Sequence, residues 1–312
     1  MDSKLTKKRL SDFFSYEWIL TLIVAAVAIV AMELIYTVSA ARLSTGQKFK
    51  FYLDEDLSSF ESYSVYELLD VKTGENGKTF SYDVLSVETE NLNSSYNVLS
   101  VRLSVQEGDA IFTSAAEKED KSVRAKTLID EFSVYDLDGL YNSANEYLSQ
   151  FKTAEGFDED AIRAYFDKRM KGDNRFRTET EKEEGRENEI ARIKKLAKDV
   201  EDFGKLLNSE TENLFYYYTK YEQASNGDVN DKNYGAAYEK TKENGALRYG
   251  INMAVLTGGK KNVSDYLKLG DTGSAENVVL LLFDFSSFQY DLQFESISFV
   301  CTLVREFSDI LG

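Results

Sequence analysis

The sequence predicts an α/β protein: a lobe built on a parallel sheet, joined to a helical subdomain and preceded by a single transmembrane helix. Two observations predict it. Trp18 to Met32 runs without a charge. Strand-like and helix-like patterns alternate from Lys48 to Thr113. Such an alternation builds parallel sheets through right-handed crossovers.

Residues 1–17 carry Lys4, Lys7, Lys8 and Arg9 beside Asp2, Asp12 and Glu17. This positive cluster places the tail in the cytoplasm and the C-terminal domain outside it, at a cell membrane crossed once. Residues 18–41 form the membrane segment. They make about 36 Å of helix at roughly 1.5 Å per residue, enough for a hydrocarbon core of about 30 Å. Trp18 and Tyr36 sit near its two ends, where aromatic belts are expected. Glu33, near the outer end, is expected at the interface. The rival reading is a cleaved signal, since Val38-Ser39-Ala40 resembles a small-residue cleavage site. The apolar stretch exceeds the usual signal core of about 7–15 residues, which favours an uncleaved anchor.

Residues 42–149 are read as the first part of the α/β lobe, with strands at Lys48–Leu53, Thr79–Glu88 and Ala110–Thr113. Helices are expected between them, one from about Ser58 to Leu69 and one from Leu92 to Val105. Residues 150–235 are read as a helical subdomain. Ile193, Val200, Leu207, Leu214 and Tyr221 recur every seven residues and predict one long helix over Ile190–Tyr221. The stripe fits a coiled coil or, preferably, packing on the chain's own domain. Lys171 to Asn188 is almost wholly polar and reads as a solvated connection. Ser225–Asn233 (SNGDVNDKN) lacks the glycine and glutamate of a calcium loop and reads as turn chemistry. Residues 236–312 return to the α/β lobe. They bring strands at Ala246–Leu256 and Asn277–Phe285 and a last helix, capped by Ser286 or Ser287, with Phe294, Ile297, Cys301, Val304 and Phe307 on one face.

Composition narrows the chemistry. With 54 acidic and 37 basic residues the net charge is −17, which argues against nucleic acid as a partner. There is no histidine and a single cysteine, Cys301, read as a buried structural thiol. Any metal would need oxygen ligands alone. No phosphate loop, dinucleotide fingerprint or nucleophile elbow is present, and no cofactor is called for.

Ligands of open parallel sheets bind beyond the carboxyl ends of the strands. The candidate rim is therefore Asp54 and Asp56 after the first strand, Glu88 after the second, and Thr113 and Ser114 after the third. Asp284, Phe285 and Ser286 join it after the C-terminal strand. Carboxylates, hydroxyls and an aromatic face suit a cation, an amine or a polyhydroxylated ligand. The other reading makes Asp56, Ser114 and Ser286 helix caps and leaves the carboxylates exposed. A carboxylate pair can also hydrolyse glycosides, but nothing fixes a pair at the required separation.

Three stretches resemble the type II extracellular solute-binding proteins of bacterial transporters. They are Arg102–Thr113 (RLSVQEGDAIFT), Tyr135–Leu140 (YDLDGL) and the return Leu247–Leu256. In that family the first matches the helix and strand before the inter-lobe cleft and the second the turn after it. The chain departs from the family in its helical 150–235 region, its lack of proline and its membrane anchor. The resemblance implies a membrane-anchored, non-catalytic binding protein for a solute or an envelope partner, associated with a transporter. The alternative is a scaffold protein that assembles through the 190–221 helix.

Overall fold

Trp18–Ser39 forms one unbroken helix whose Trp18–Tyr36 window is long and apolar enough to cross a membrane. Every residue of that window is exposed. The computed structural model describes residues 7–12, 18–39, 48–54, 57, 86–92, 96–116, 124–173, 175–219, 246–270, 273–284 and 294–312. These fall into two compact units, residues 1–42 and 43–312. The first holds α1 (Lys7–Asp12) and α2 (Trp18–Ser39).

The second unit is an α/β body around a six-stranded mixed sheet. Its strands are β1 (Lys48–Leu53), β2 (Ser86–Asn91), β3 (Ala110–Ser114), β6 (Phe215–Tyr218), β7 (Leu247–Asn252) and β8 (Val278–Leu282), in the order β2-β1-β3-β8-β7-β6. β1 runs parallel to both β2 and β3, as the alternating pattern predicts. β8, β7 and β6 join antiparallel. This corrects the all-parallel expectation. Val278–Leu282 is buried throughout, but burial on both faces reports a central position and not a direction.

Helices cover both faces. On one lie α3 (Tyr96–Ser104) and α4 (Arg124–Glu131), whose Leu99, Leu103, Ala125, Leu128 and Ile129 meet Tyr52, Ile111, Val279 and Leu281. On the other lie α5 (Leu137–Ser149), α6 (Glu159–Arg169), α7 (Glu179–Leu207) and α8 (Glu295–Phe307). The small hairpin β4 (Lys152–Thr153) and β5 (Gly156–Phe157) links α5 to α6. Phe299 of α8 is central here, with its ring 4.8 Å from Phe49, 5.6 Å from Phe51 and 6.3 Å from Phe112.

Several expected boundaries move. α7 begins at Glu179, inside the stretch read as a solvated connection. Thr178 accepts from the Glu181 amide while the Glu181 carboxylate accepts from the Thr178 amide, a capping box that starts the helix there. The helix ends at Leu207, short of Tyr221, because the polar Asn208–Asn213 turns the chain and Asn213 adopts φ +57°. The sevenfold stripe runs across this break. Ile193, Val200, Leu207 and Leu214 are all buried within the unit, so the seam faces the chain's own core. Phe215–Tyr218 then joins the main sheet, so residues 150–235 are not wholly helical.

The return strand ends at Asn252, where a 3₁₀ turn over Met253–Val255 begins. The last helix starts at Glu295, well beyond Ser286, and Phe294 at its N-cap makes no side-chain cap. Its predicted apolar face is buried as expected, Cys301 included. The expected helix near 58–69, most of the strand at 79–88 and the loop at 225–233 lie outside the described residues.

Candidate functional site

β1 and β3 run side by side with Leu53 opposite Phe112, so their carboxyl ends share one edge. Asp54 leaves β1 there, two residues past Tyr52 and on the same face. Its backbone N–H donates to the Phe112 carbonyl at 3.1 Å, holding the chain one residue past the strand. The carboxylate is fully buried and fully engaged. Thr113 Oγ1 donates to Asp54 Oδ2 at 2.6 Å. Arg124, the first residue of α4, donates from Nε to Oδ2 at 2.8 Å and from Nη2 to Oδ1 at 3.0 Å. A carboxylate held by such a two-pronged guanidinium is a strong acceptor fixed in place. Ser114 is also buried, and its Oγ accepts from the Ala116 amide at 3.1 Å.

Two of the predicted rim residues, Asp54 and Thr113, therefore meet, whereas Ser114, next along β3, turns its side chain to the other face of the sheet. Glu88 does not join them. It sits inside β2 opposite Lys50 and accepts from Lys48 Nζ at 2.9 Å on the exposed strand surface. Asp284 is at the other edge, because β8 is antiparallel to β3 and its carboxyl end lies beside Asp109. There the Asp284 amide donates to the Ser133 carbonyl at 3.0 Å. Burial first, and then the hydrogen bond with Asp284, push the Tyr135 hydroxyl above its ordinary value. Asp56, Phe285 and Ser286 lie outside the described residues.

No family model, curated protein or solved structure matches this chain. The site's chemistry thus rests on its own geometry.

Sequence reasoning missed Arg124. The Ala125, Leu128, Ile129 spacing, one helical face with Arg124 at its start, was the available signal. It also missed three further charge clusters. On α7, Arg192 is buried and donates to Glu189 at 2.9 and 3.0 Å and to the Tyr147 hydroxyl at 2.6 Å, with Glu295 3.7 Å away. Arg169 of α6 reaches the same Glu189 at 2.8 Å. Burial alone would raise the Glu189 pKa, but the two guanidiniums outweigh it and hold it below the ordinary range.

Further along α7, Asp199 accepts from Ser298 Oγ at 2.7 Å, Lys195 at 2.6 Å and Arg305 at 3.1 Å, tying α7 to α8. On the opposite face of the sheet, Lys50 bridges Glu90 at 2.6 Å and Glu107 at 2.8 Å. Burial lowers the Lys50 pKa, yet these carboxylates raise it overall. A cleft of about 300 Å³ between α6 and α7 is floored by Phe166, Met170 and Phe176, with Lys171, Lys182 and Arg186 around it. The Arg186 guanidinium is already taken by Asp167 at 2.9 Å on both oxygens. Among the described residues no group of acidic or sulfur side chains is placed to hold a metal ion.

Proposed function

We propose that this chain is a non-catalytic binding protein anchored by α2 in the cell membrane, its acidic α/β unit outside the cytoplasm and engaging an envelope protein, in company with a transporter. The observation that carries the reading is that the chain has both a helix whose 19-residue apolar window Trp18–Tyr36 is exposed throughout and a compact α/β unit whose sheet faces are filled by side chains. An exposed apolar helix of this length is stable in lipid and not in water. The Lys and Arg residues before it favour a cytoplasmic N-terminus.

The parallel order β2-β1-β3 with α3 between β2 and β3 supports the likeness to type II solute-binding proteins. Two of the stretches that resemble them are joined: Arg248 of β7 donates from Nε to Asp138 of α5 at 2.8 Å. The engaged partner is a protein and not an enclosed solute for two reasons. Helices α5 and α8 pack directly on the sheet, with Phe299 of α8 against Phe49 and Phe51. The rim carboxylate Asp54 is consumed by Arg124 and Thr113.

Chemical cross-linking of the full chain in its native membranes tests this. The reading expects a discrete adduct between the 43–312 unit and a second membrane or envelope protein. A rise in the unfolding temperature of that unit with a small solute, and no protein adduct, would replace it with solute capture.

A further inference from the structure

Glu33 stands at the sixteenth of the 22 positions of α2. The nearest charge before it is Glu17, and the residues between them are uncharged. Helix rise puts Glu33 about 22 Å along the axis from Trp18, against a hydrocarbon core of about 30 Å. A helix that enters the core at Trp18 therefore carries Glu33 into it, deeper than the interface position read from the sequence. Glu17 ends a tail that also holds Lys7, Lys8, Arg9 and Asp12, whereas Glu33 is followed by Leu34, Ile35 and Tyr36. The apolar window Trp18–Tyr36 encloses Glu33 and excludes Glu17.

Glu33 is exposed, and it has no ion-pair partner among the described residues. The helix itself holds no Lys or Arg. A carboxylate at membrane depth is costly unless it is paired, and such residues face a partner helix or a polar path. On the same helical face, Ile29 and Val30 lie one turn before Glu33 and Ala26 two turns before it. The small Ala26 side chain permits close approach of a second helix there.

We propose that Glu33 is the docking point for a transmembrane helix of another protein that brings a Lys or Arg to the same depth. The inference rests on the membrane-spanning reading of α2. A second copy of this chain does not supply the pairing, since it would set carboxylate against carboxylate.

Photo-crosslinking in the native membrane tests it, with the full chain carrying the photoreactive group at position 26 or 29 on the Glu33 face, or at 24 or 31 opposite. The expected result is adducts from 26 and 29 only, to a peptide from a membrane span that contains Lys or Arg, reduced at least tenfold by Glu33→Leu. Glu33→Lys also abolishes them, and changing the partner's cation to Glu in that background restores them. Self-adducts, adducts with lipid alone, equal adducts from both faces or adducts insensitive to Glu33→Leu each overturn the proposal. Extraction of the chain by alkaline carbonate is scored separately. A chain that stays with the membrane but gives no face-specific adduct refutes the pairing and leaves the anchor standing, whereas a chain that is extracted refutes both.

Discussion

Arg124 grips the buried Asp54 carboxylate with two parallel hydrogen bonds, 2.8 and 3.0 Å, across 70 residues of sequence. The pair fastens the carboxyl end of β1 to the start of α4. Removing one partner strands the other charge. Arg124→Met is therefore expected to cost roughly 3–5 kcal/mol, as breaking buried pairs does. Urea unfolding of the 43–312 unit measures it. Asp54→Asn combined with Arg124→Met should cost less than the two single changes added together. A loss under about 1 kcal/mol for Arg124→Met would mean the pair is not held as described.

Phe299 sits among Phe49, Phe51 and Phe112 and is itself fully buried. Phe299→Ala leaves a cavity at the centre of the larger core and should destabilise by about 3–5 kcal/mol. Phe299→Leu retains most of the volume and should lose clearly less. Equal losses for the two would contradict the packing.

Gly185 reverses a usual sign. Alanine in a helix normally outranks glycine by roughly 1 kcal/mol. A methyl at 185 would fall inside contact distance of the Phe166 ring and only 2.7 Å from Phe176 Cε1. Gly185→Ala is therefore expected to destabilise by about 1–3 kcal/mol as an overpacked site does. A more stable variant in thermal unfolding would show that α6 and α7 do not approach this closely.

Glu189 sets an acid limit. Its pKa lies below the ordinary 4.5 in the folded chain, so the folded state binds fewer protons than the unfolded state as the solution is acidified. Its contribution is therefore present above the unfolded value and is lost as pH falls through the folded one. Unfolding free energy measured from neutral pH downward should decline below about pH 4.5. Glu189→Gln should lower the neutral plateau, because Arg192 and Arg169 lose their shared acceptor, and flatten the acid decline. An unchanged acid slope would remove Glu189 from the account.

Cys301 gives a probe of opening. It is buried and donates to the Asp199 carbonyl at 3.3 Å, and burial first, then Asp199, push its thiol well above the ordinary range. Thiol-reactive dye should label the native chain only at the rate of unfolding and label the denatured chain at once. Fast labelling of native protein would contradict the α7–α8 packing.

The fold was legible where local pattern and environment agree. β1, β3 and the last helix lie close to where alternation or 3–4 spacing sets them, whereas the Ala125, Leu128 and Ile129 stripe of α4 went unread. Strand direction was not legible. Val278–Leu282 reads as buried on both faces whichever way it runs, and its antiparallel course moved Asp284 to the far edge. The sevenfold stripe hid the end of α7 because Leu214 keeps the phase after the helix has stopped. Pairings such as Asp54–Arg124, Glu189–Arg169 and Asp138–Arg248 join residues 70, 20 and 110 positions apart, which no local pattern encodes.

The central claim is that α2 anchors this chain with the 43–312 unit outside the cytoplasm. Protease added to intact cells, followed by alkaline carbonate extraction of the membranes, tests it most directly. The account predicts that 43–312 is digested from outside, that residues 1–17 stay protected, and that α2 remains in the carbonate pellet. Full protection of 43–312 in intact cells, or release of the uncleaved chain by carbonate, would contradict it.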